Sequence, residues 1–503
     1  MKKKISAVVL AGLFAIPMAA SAGSDADNKA LMQRVEQLSK ELNELKAAMA
    51  EQTKVSSETA KQVNDMQNVV INLDDRAEEW DVASRFKISG DFRTRLDYYT
   101  ADTASGKTLN NDSLWTNRLR LNLEAKATEN VEFKGRLAMY KAWGMESAFR
   151  DDSGSMWPVF DGNTSRTPSD SALYVDRAMI TWNNIGGAPV WFSIGRRPTT
   201  DGPPAEIRMG TDHRMATPVA YMDWPFDGLT LAYRYKWADD LGSGKLRFCY
   251  GRGYENGLQL NKNTLDDTDF AGFEWDVLEK GPRNFQIQSF MAFNLFNYPN
   301  FQDPIINANF GNMSGMGLRK TSGNLLHTTS VYQDKYASLN YFIAGGWSKS
   351  LPDHDGLFND IAMGPYGVDT KSENGYSVYL GVRYDLDNIG LKLGAEYNWG
   401  SQYWLAMTPG NDDIYQSKLA ARGSVYEVYG IYNLPSGPAV SKYAKAFIRF
   451  GYQHYDYNYA GSGNWNYAPY DLGSRQDLMK LHNIGLDPIK TADQIYVSME
   501  AYF

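Results

Sequence analysis

Arginine recurs at every second position in two stretches, as Arg93 and Arg95 in F-R-T-R and as Arg118 and Arg120 in N-R-L-R, with Arg136 following. In an extended chain, residues two apart project from the same face, so each pair is a local concentration of guanidinium groups that could attract or sort anions. The same parity places Glu274, Asp276, Glu396, Glu427 and Glu500 on the polar face of later segments. A basic wall opposite an acidic one would set a field across any enclosed space between them. The competing expectation is mutual neutralisation, with the arginines paired to Asp91 and Glu124 on adjacent strands.

Other reactive side chains are scattered. The five histidines, His213, His327, His354, His454 and His482, share no motif, and there is no G-x-S-x-G. Asp212-His213 and Asp353-His354-Asp355 could suggest metal or acid–base work, but solvated loop histidines are the simpler expectation. Gly251, Gly253 and Gly257 look like a dinucleotide fingerprint, yet they end a strand and open no helix, which that chemistry requires. Asp151-Asp152, Asp266-Asp267 and Asp412-Asp413 lack calcium-loop spacing. The single cysteine, Cys249, excludes an intramolecular disulfide framework. No catalytic residue, metal or cofactor is expected.

The elements that must position the charges are strands. In Phe86–Tyr98, even positions are apolar, small or Thr, and odd positions are charged or Ser. Leu119 to Ala127 and Leu391 to Trp399 repeat the pattern. Such alternation indicates strands with one apolar and one polar face. Sixteen segments qualify: 86–98, 114–127, 131–143, 173–183, 190–197, 228–237, 244–254, 269–278, 284–296, 324–333, 336–349, 375–386, 390–402, 422–433, 443–457 and 492–503. Their connections alternate in length. Short ones, such as 128–130, 334–335 and 387–389, alternate with connections of about 14 to 34 residues rich in Gly, Asp, Asn and Pro. Short turns at one end and long loops at the other are the mark of a transmembrane β-barrel with an even strand count. Both chain ends then lie on the short-turn, periplasmic side. Aromatic residues near strand ends, among them Tyr98, Trp115, Trp143, Trp182, Tyr235, Trp237, Trp347 and Trp399, fit girdles at the headgroup level. A mean hydropathy of −0.47 with 13% aromatic residues suits a barrel whose polar face lines a lumen.

The first 80 residues are organised differently. Lys2, Lys3 and Lys4, the apolar run Ile5 to Ile16 and Ala20-Ser21-Ala22 read as a signal peptide over 1–22. Its removal takes the formal charge from −8 to −11, which argues against nucleic acid as a partner. From Asn28 to Glu79 there is no Gly or Pro. Leu31, Val35, Leu38, Leu42, Leu45 and Met49, then Val63, Met66, Val70 and Leu73, keep one heptad register, with Gln52, Ser56 and Thr59 between them. This predicts a coiled-coil stalk over 23–80, roughly 60 Å long from Leu31 to Leu73. The barrel is expected over 81–503.

The last segment, 492–503, alternates and ends on Phe503. It resembles the terminal signal by which outer-membrane assembly machinery recognises barrel proteins. The strand pattern over most of the chain resembles the sixteen-stranded general and substrate-selective porins of Gram-negative outer membranes. Signal, coiled coil and barrel in series resemble a porin-like bacterial family of unknown function. The resemblance implies a passive pore for ions and small hydrophilic solutes, commonly trimeric, set in outer-membrane lipid. Arg93, Arg95, Arg118, Arg120, Arg136, Glu274, Glu396 and Glu427 would line it. It also implies that the third long loop, Pro198 to Asp227, folds inwards to form a constriction, with Asp201, Glu206 and Asp212 as its acidic residues. The stalk would trimerise the protein or reach towards peptidoglycan. Two other classes stay open: an envelope tether or sheath around an electron-transfer protein, and a barrel hydrolase with a His beside Ser or Asp at one rim.

Overall fold

The computed structural model describes residues 32–51, 54, 61, 85–144, 168, 170–197, 202–209, 226–238, 241–255, 265–296, 320–408, 417–435, 437 and 444–503. The signal peptide over 1–22, most of the heptad run beyond residue 51, and Asp201 and Asp212 lie outside them. The chain divides into two compact units, Met1–Val82 and Ala83–Phe503.

In the first unit, residues 32–51 are helical. Val35, Leu38, Leu42, Leu45 and Met49 form one exposed stripe on that helix, each more than half accessible.

The second unit is a closed barrel of sixteen antiparallel strands in which every strand pairs with its sequence neighbours and the first with the last. The strands are β1 Phe86–Thr103, β2 Thr108–Lys126, β3 Val131–Ala142, β4 Tyr174–Trp182, β5 Val190–Arg197, β6 Phe226–Lys236, β7 Ser243–Tyr254 and β8 Thr268–Lys280. They continue as β9 Arg283–Phe296, β10 Thr321–Tyr336, β11 Leu339–Pro352, β12 Asn374–Leu386, β13 Leu391–Gly400, β14 Gly423–Asn433, β15 Lys445–Tyr457 and β16 Ile489–Tyr502. Every segment chosen by alternation is a strand.

Two expectations about the connections fail. The long loop expected over 99–113 is instead a hairpin. Past an irregularity between Asp97 and Tyr99, pairing resumes and runs on to Asp102↔Thr108, leaving only 104–107 as the turn. Residues 108–113 are exposed, so the β2 half of this ribbon needs no apolar face and its polar sequence imitates a loop, while Tyr99 and Ala101 of the β1 half are buried. Likewise, the turn expected at 334–335 lies at 337–338. Asp334 and Lys335 stay in the ladder opposite Tyr341 and Asn340, with Arg283 Nε donating to Asp334 at 2.7 Å, and Ala337 takes the positive φ of 51°.

Burial is inverted relative to a water-soluble protein. Along β12, Tyr376, Val378, Leu380, Val382 and Tyr384 are exposed, while Ser377, Tyr379, Arg383 and Asp385 are buried. An apolar outside and a polar inside is the arrangement a strand needs between lipid and lumen. Closure leaves no unpaired edge for the hydrocarbon to contact. At the seam, Gly90 and Phe503 exchange both backbone hydrogen bonds, at 2.8 and 3.0 Å. Only glycine fits at position 90, because a Cβ there would lie 2.8 Å from the Phe503 ring and 2.7 Å from Arg120 O.

Candidate functional site

The inner wall carries the charges. On β1 to β3, alternation turns Arg93, Arg95, Arg118 and Arg136 inwards, all buried, with Arg120 part-buried beside them. Arg93 and Arg118 are register partners, a like-charge juxtaposition that needs compensation. Asp91 supplies it: Arg118 lies 3.1 Å and Arg120 2.7 Å from its carboxylate. Arg95 pairs with Asp97 at 2.7 Å and stacks on Tyr496, its guanidinium carbon 4.4 Å from the ring centre. Arg93 donates to Tyr140 Oη at 2.9 Å. Arg136 donates to Asn122 Oδ1 at 2.7 Å and lies 3.6 Å from Asp176. Neutralisation by Asp91 is therefore realised, whereas Glu124 pairs with Lys87 at an exposed position.

Four of the five acidic residues form two groups, which the structure does not bring together. Glu500 on β16 instead joins the basic wall opposite Arg93, 2.6 Å from Arg449 and 3.7 Å from Arg118. Glu274 and Asp276 on β8 are both held by Arg247 of β7, at 2.5 and 3.0 Å. Glu396 and Glu427 are register partners on β13 and β14. Lys418, from the loop joining those strands, sits between them, bridging Glu396 and lying 2.6 Å from Glu427. Arg247 shares the polar parity of its strand and was within reach of the sequence argument. Lys418 lies in a connection without periodicity, and nothing local marks it.

The third long loop does enter the barrel. Its residues 205–209 form a single helical turn, Ala205–Met209, reached from β5 and left towards β6. Arg208 lies 3.1 Å from Glu427 on β14, eight strands round from β6. Glu206 accepts a hydrogen bond from Gln333 of β10 at 2.6 Å, and Ile207 O accepts one from Arg383 of β12 at 2.6 Å. Ile207 packs among Val331, Phe342, Tyr379 and Trp404. In a closed ring of sixteen, eight strands is the opposite side, so this segment sits inside the barrel, clamped to the wall far from β6.

A family model covering residues 108–503 matches this sequence. The chain belongs to the family described as "Protein of unknown function (DUF3373)". No curated protein matches the sequence. Among solved structures, the DUF3373 barrel is similar to "OmpT (in-vitro folded), an outer membrane protein Vibrio cholerae (trimer form)", at 11% identity and a TM-score of 0.39 over 83% of this chain and 99% of that one. It is also similar to "Salmonella typhi OmpF complex with Daunomycin", at 13% identity and a TM-score of 0.41 over 83% and 97%. At these identities the likeness concerns the fold, which the strand ladder already establishes.

The mouth of the DUF3373 barrel, at the end carrying the longer loops, is packed. Leu357 and Phe358 from the β11–β12 connection, Leu405 and Met407 from β13–β14 and Trp465 from β15–β16 join Phe270, Phe290, Phe296 and Leu325 of the wall in one apolar cluster. Arg422 ties two of these loops together through the carbonyls of Trp404, Ala460 and Asn464, at 3.1, 3.2 and 2.6 Å. His327 is fully buried between Phe290 and Trp404.

His213 lies outside the described residues, and the described histidine candidates that remain are peripheral. Asp353, His354 and Asp355 bring their ligand atoms within 4.8 Å of one another, but Lys320 already holds Asp355 at 2.8 Å and His354 is exposed. His454 Nδ1 lies 2.8 Å from Asp493, on the outward parity of β15, and Tyr452 donates to the same carboxylate at 2.5 Å. No Ser, Thr or Cys hydroxyl or thiol is hydrogen-bonded to that imidazole among the described residues.

Proposed function

We propose that this protein is an outer-membrane pore through which ions and small hydrophilic solutes diffuse, with its N-terminal stalk in the periplasm. The observation that carries the reading is the segment 205–209, which lies inside the barrel against a charged inner wall and is held to β14 by Arg208 and Glu427. A short clamped inward segment narrows a bore while leaving it lined by fixed charges, and low-dielectric walls focus their field on passing ions. Arg93, Arg95, Arg118, Arg120 and Arg136 form the basic side of this lining, Glu274, Glu396 and Glu427 the acidic sides. Asp201, Glu206 and Asp212 belong to the constriction loop. Outer-membrane lipid is the partner of the apolar exterior.

The exposed heptad stripe on residues 32–51 supports assembly with further copies of the chain. Three copies is the assembly that the resemblance to general porins favours. That stripe also supports a second reading, an envelope tether towards peptidoglycan or a periplasmic protein. The hydrolase reading asks for a His beside Ser or Asp at one rim. His454 beside Asp493 is such a pair, on the outward parity of β15, and inactivity towards lipid and peptide substrates would remove that reading.

Single-channel recording in planar bilayers tests the pore. The purified protein is expected to give discrete conductance steps. Replacing Arg93, Arg95, Arg118 and Arg120 by Ala is expected to move the reversal potential towards cation preference. A folded wild-type barrel that passes no current would overturn the reading. A folded variant with unchanged conductance and reversal potential would remove those arginines from the conduction path.

A further inference from the structure

One row of the inner wall across β5, β6 and β7 has no side chains. Gly195, Gly228 and Gly251 are register partners across β5, β6 and β7, and Gly272 follows on β8 opposite Cys249. The next inward row carries Ser193, Thr230, Cys249, Gly272 and Phe290, and the one beyond it Trp191, Ala232, Arg247, Glu274 and Gln288. Gly251 and Gly272, in neighbouring rows, border a hollow flanked by larger residues. The backbone is also close at hand: a Cβ at Gly228 would lie 2.0 Å from Tyr250 O, and one at Gly272 2.2 Å from Ser289 O.

The cavity over this floor has two characters. Phe226, Phe270 and Phe290 form its apolar side, with successive ring centres 4.6 and 6.0 Å apart. Arg197, Glu274 and Gln288 form its polar side. Three polar atoms here are buried without a hydrogen-bond partner: Arg197 Nε, Glu274 Oε2 and Gln288 Oε1. Arg197 makes no ion pair with any described residue, and its guanidinium carbon lies 5.9 Å from the Trp191 ring centre. Glu274 uses its other oxygen for Arg247. Buried donors and acceptors left unpaired are costly and rare. One cationic donor and two acceptors around one cavity form a pattern that a ligand of complementary polarity would complete.

We propose that this hollow binds a small carboxylic acid carrying a hydrogen-bond donor beside its carboxylate, the arrangement of 2-hydroxy and 2-amino acids. The planar guanidinium of Arg197 suits a carboxylate, which it can meet with two parallel donors. The neighbouring hydroxyl or ammonium proton goes to Glu274 Oε2 or Gln288 Oε1, and the short hydrocarbon lies against the phenyl rings. This goes beyond the pore reading, because binding does not require current to flow.

Calorimetric titration of the full-length protein in detergent, in low-chloride buffer, tests it with three probes. They are 2-hydroxybutyrate, butyrate, which lacks the donor, and butan-2-ol, which lacks the carboxylate. The expected order is 2-hydroxybutyrate about tenfold tighter than butyrate, as one hydrogen bond to a charged group allows, and no measurable heat with butan-2-ol. Arg197→Met is expected to weaken 2-hydroxybutyrate by tenfold or more, the scale of a lost charge-assisted pair. Gln288→Leu is expected to shrink the gap between the two acids while leaving butyrate unchanged. Should Arg197→Met not fold, Gln288→Leu decides. Failure of the wild type to bind either acid, equal binding of butan-2-ol, or indifference of both acids to a folded variant would overturn the site. A barrel that binds the acid but passes no current would sink the pore reading and leave this one standing.

Discussion

Two glutamates placed directly opposite each other on neighbouring strands repel, and Glu396 and Glu427 tolerate that position because Lys418 lies between them. All three side chains are buried, so removing the cation leaves two carboxylates facing each other out of water. Lys418→Met is therefore expected to destabilise the barrel by about 3–5 kcal/mol, the usual cost of breaking a buried ion pair from one side. It should appear as a lower midpoint of heat-induced unfolding in detergent, with Glu396→Gln in the same background restoring part of the loss. An unchanged midpoint would mean that Arg208 alone compensates both acids. The glutamates were legible in the sequence because strand parity is a local rule. Their cations were not. Lys418 sits in an irregular connection, and Arg208 meets Glu427 across 219 residues of chain, a distance over which no periodicity carries information.

All sixteen strands could be read from alternation alone, since each must be apolar towards lipid and polar towards the lumen whatever its neighbours are. The loops obey no such constraint. The hairpin end at 104–107 was hidden because its β2 side, 108–113, is exposed and carries no alternation, and the helix Arg475–Asn483 was passed over inside a long connection. That helix does carry a local signal: Ser474 Oγ accepts from Asp477 N at 3.4 Å, with Asp477 in the first turn. It presents Lys480 to Asp360 of the β11–β12 connection at 2.8 Å, and Tyr470 donates to the same carboxyl at 2.7 Å. Burial alone would raise the Asp360 pKa, but these hydrogen bonds hold it below the ordinary carboxyl value. The hydrogen bond to Asp360 in turn raises Lys480. A lowered acid contributes stability above its unfolded value, near 3.9, and loses it as pH falls through the folded value. A raised lysine contributes below its unfolded value, near 10.4, and loses it as pH rises through the folded value. The contact should therefore hold from about pH 4 to 10 and loosen on either side. Amide protection factors in 475–483, exchange rates corrected for the intrinsic pH dependence, should fall below that window in the wild type, and Asp360→Asn should show the lowered protection already at pH 7. Equal exchange in both proteins at pH 7 would show that the ion pair does not hold the helix.

At the scale of the molecule the two units answer to different rules, one period 3.5 and one period 2. Deleting 28–75 removes no strand, so the truncated protein is expected to retain barrel circular dichroism and heat-resistant migration on gels. Cross-linking in mild detergent should show fewer oligomers than the full chain. Loss of the barrel on truncation, or identical cross-linking, would contradict the separation. The strand alternation has a further consequence for the journey of the polypeptide. A protein bound for an outer membrane must first be threaded through an inner one. A continuous apolar stretch of about 20 residues would lodge there as a helix. In this barrel every lipid-facing residue is followed by one that faces the lumen, and the greasy surface exists only after the strands have paired. The unfolded chain is thus polar enough to be released by the first membrane, and the folded one apolar enough to be retained by the second.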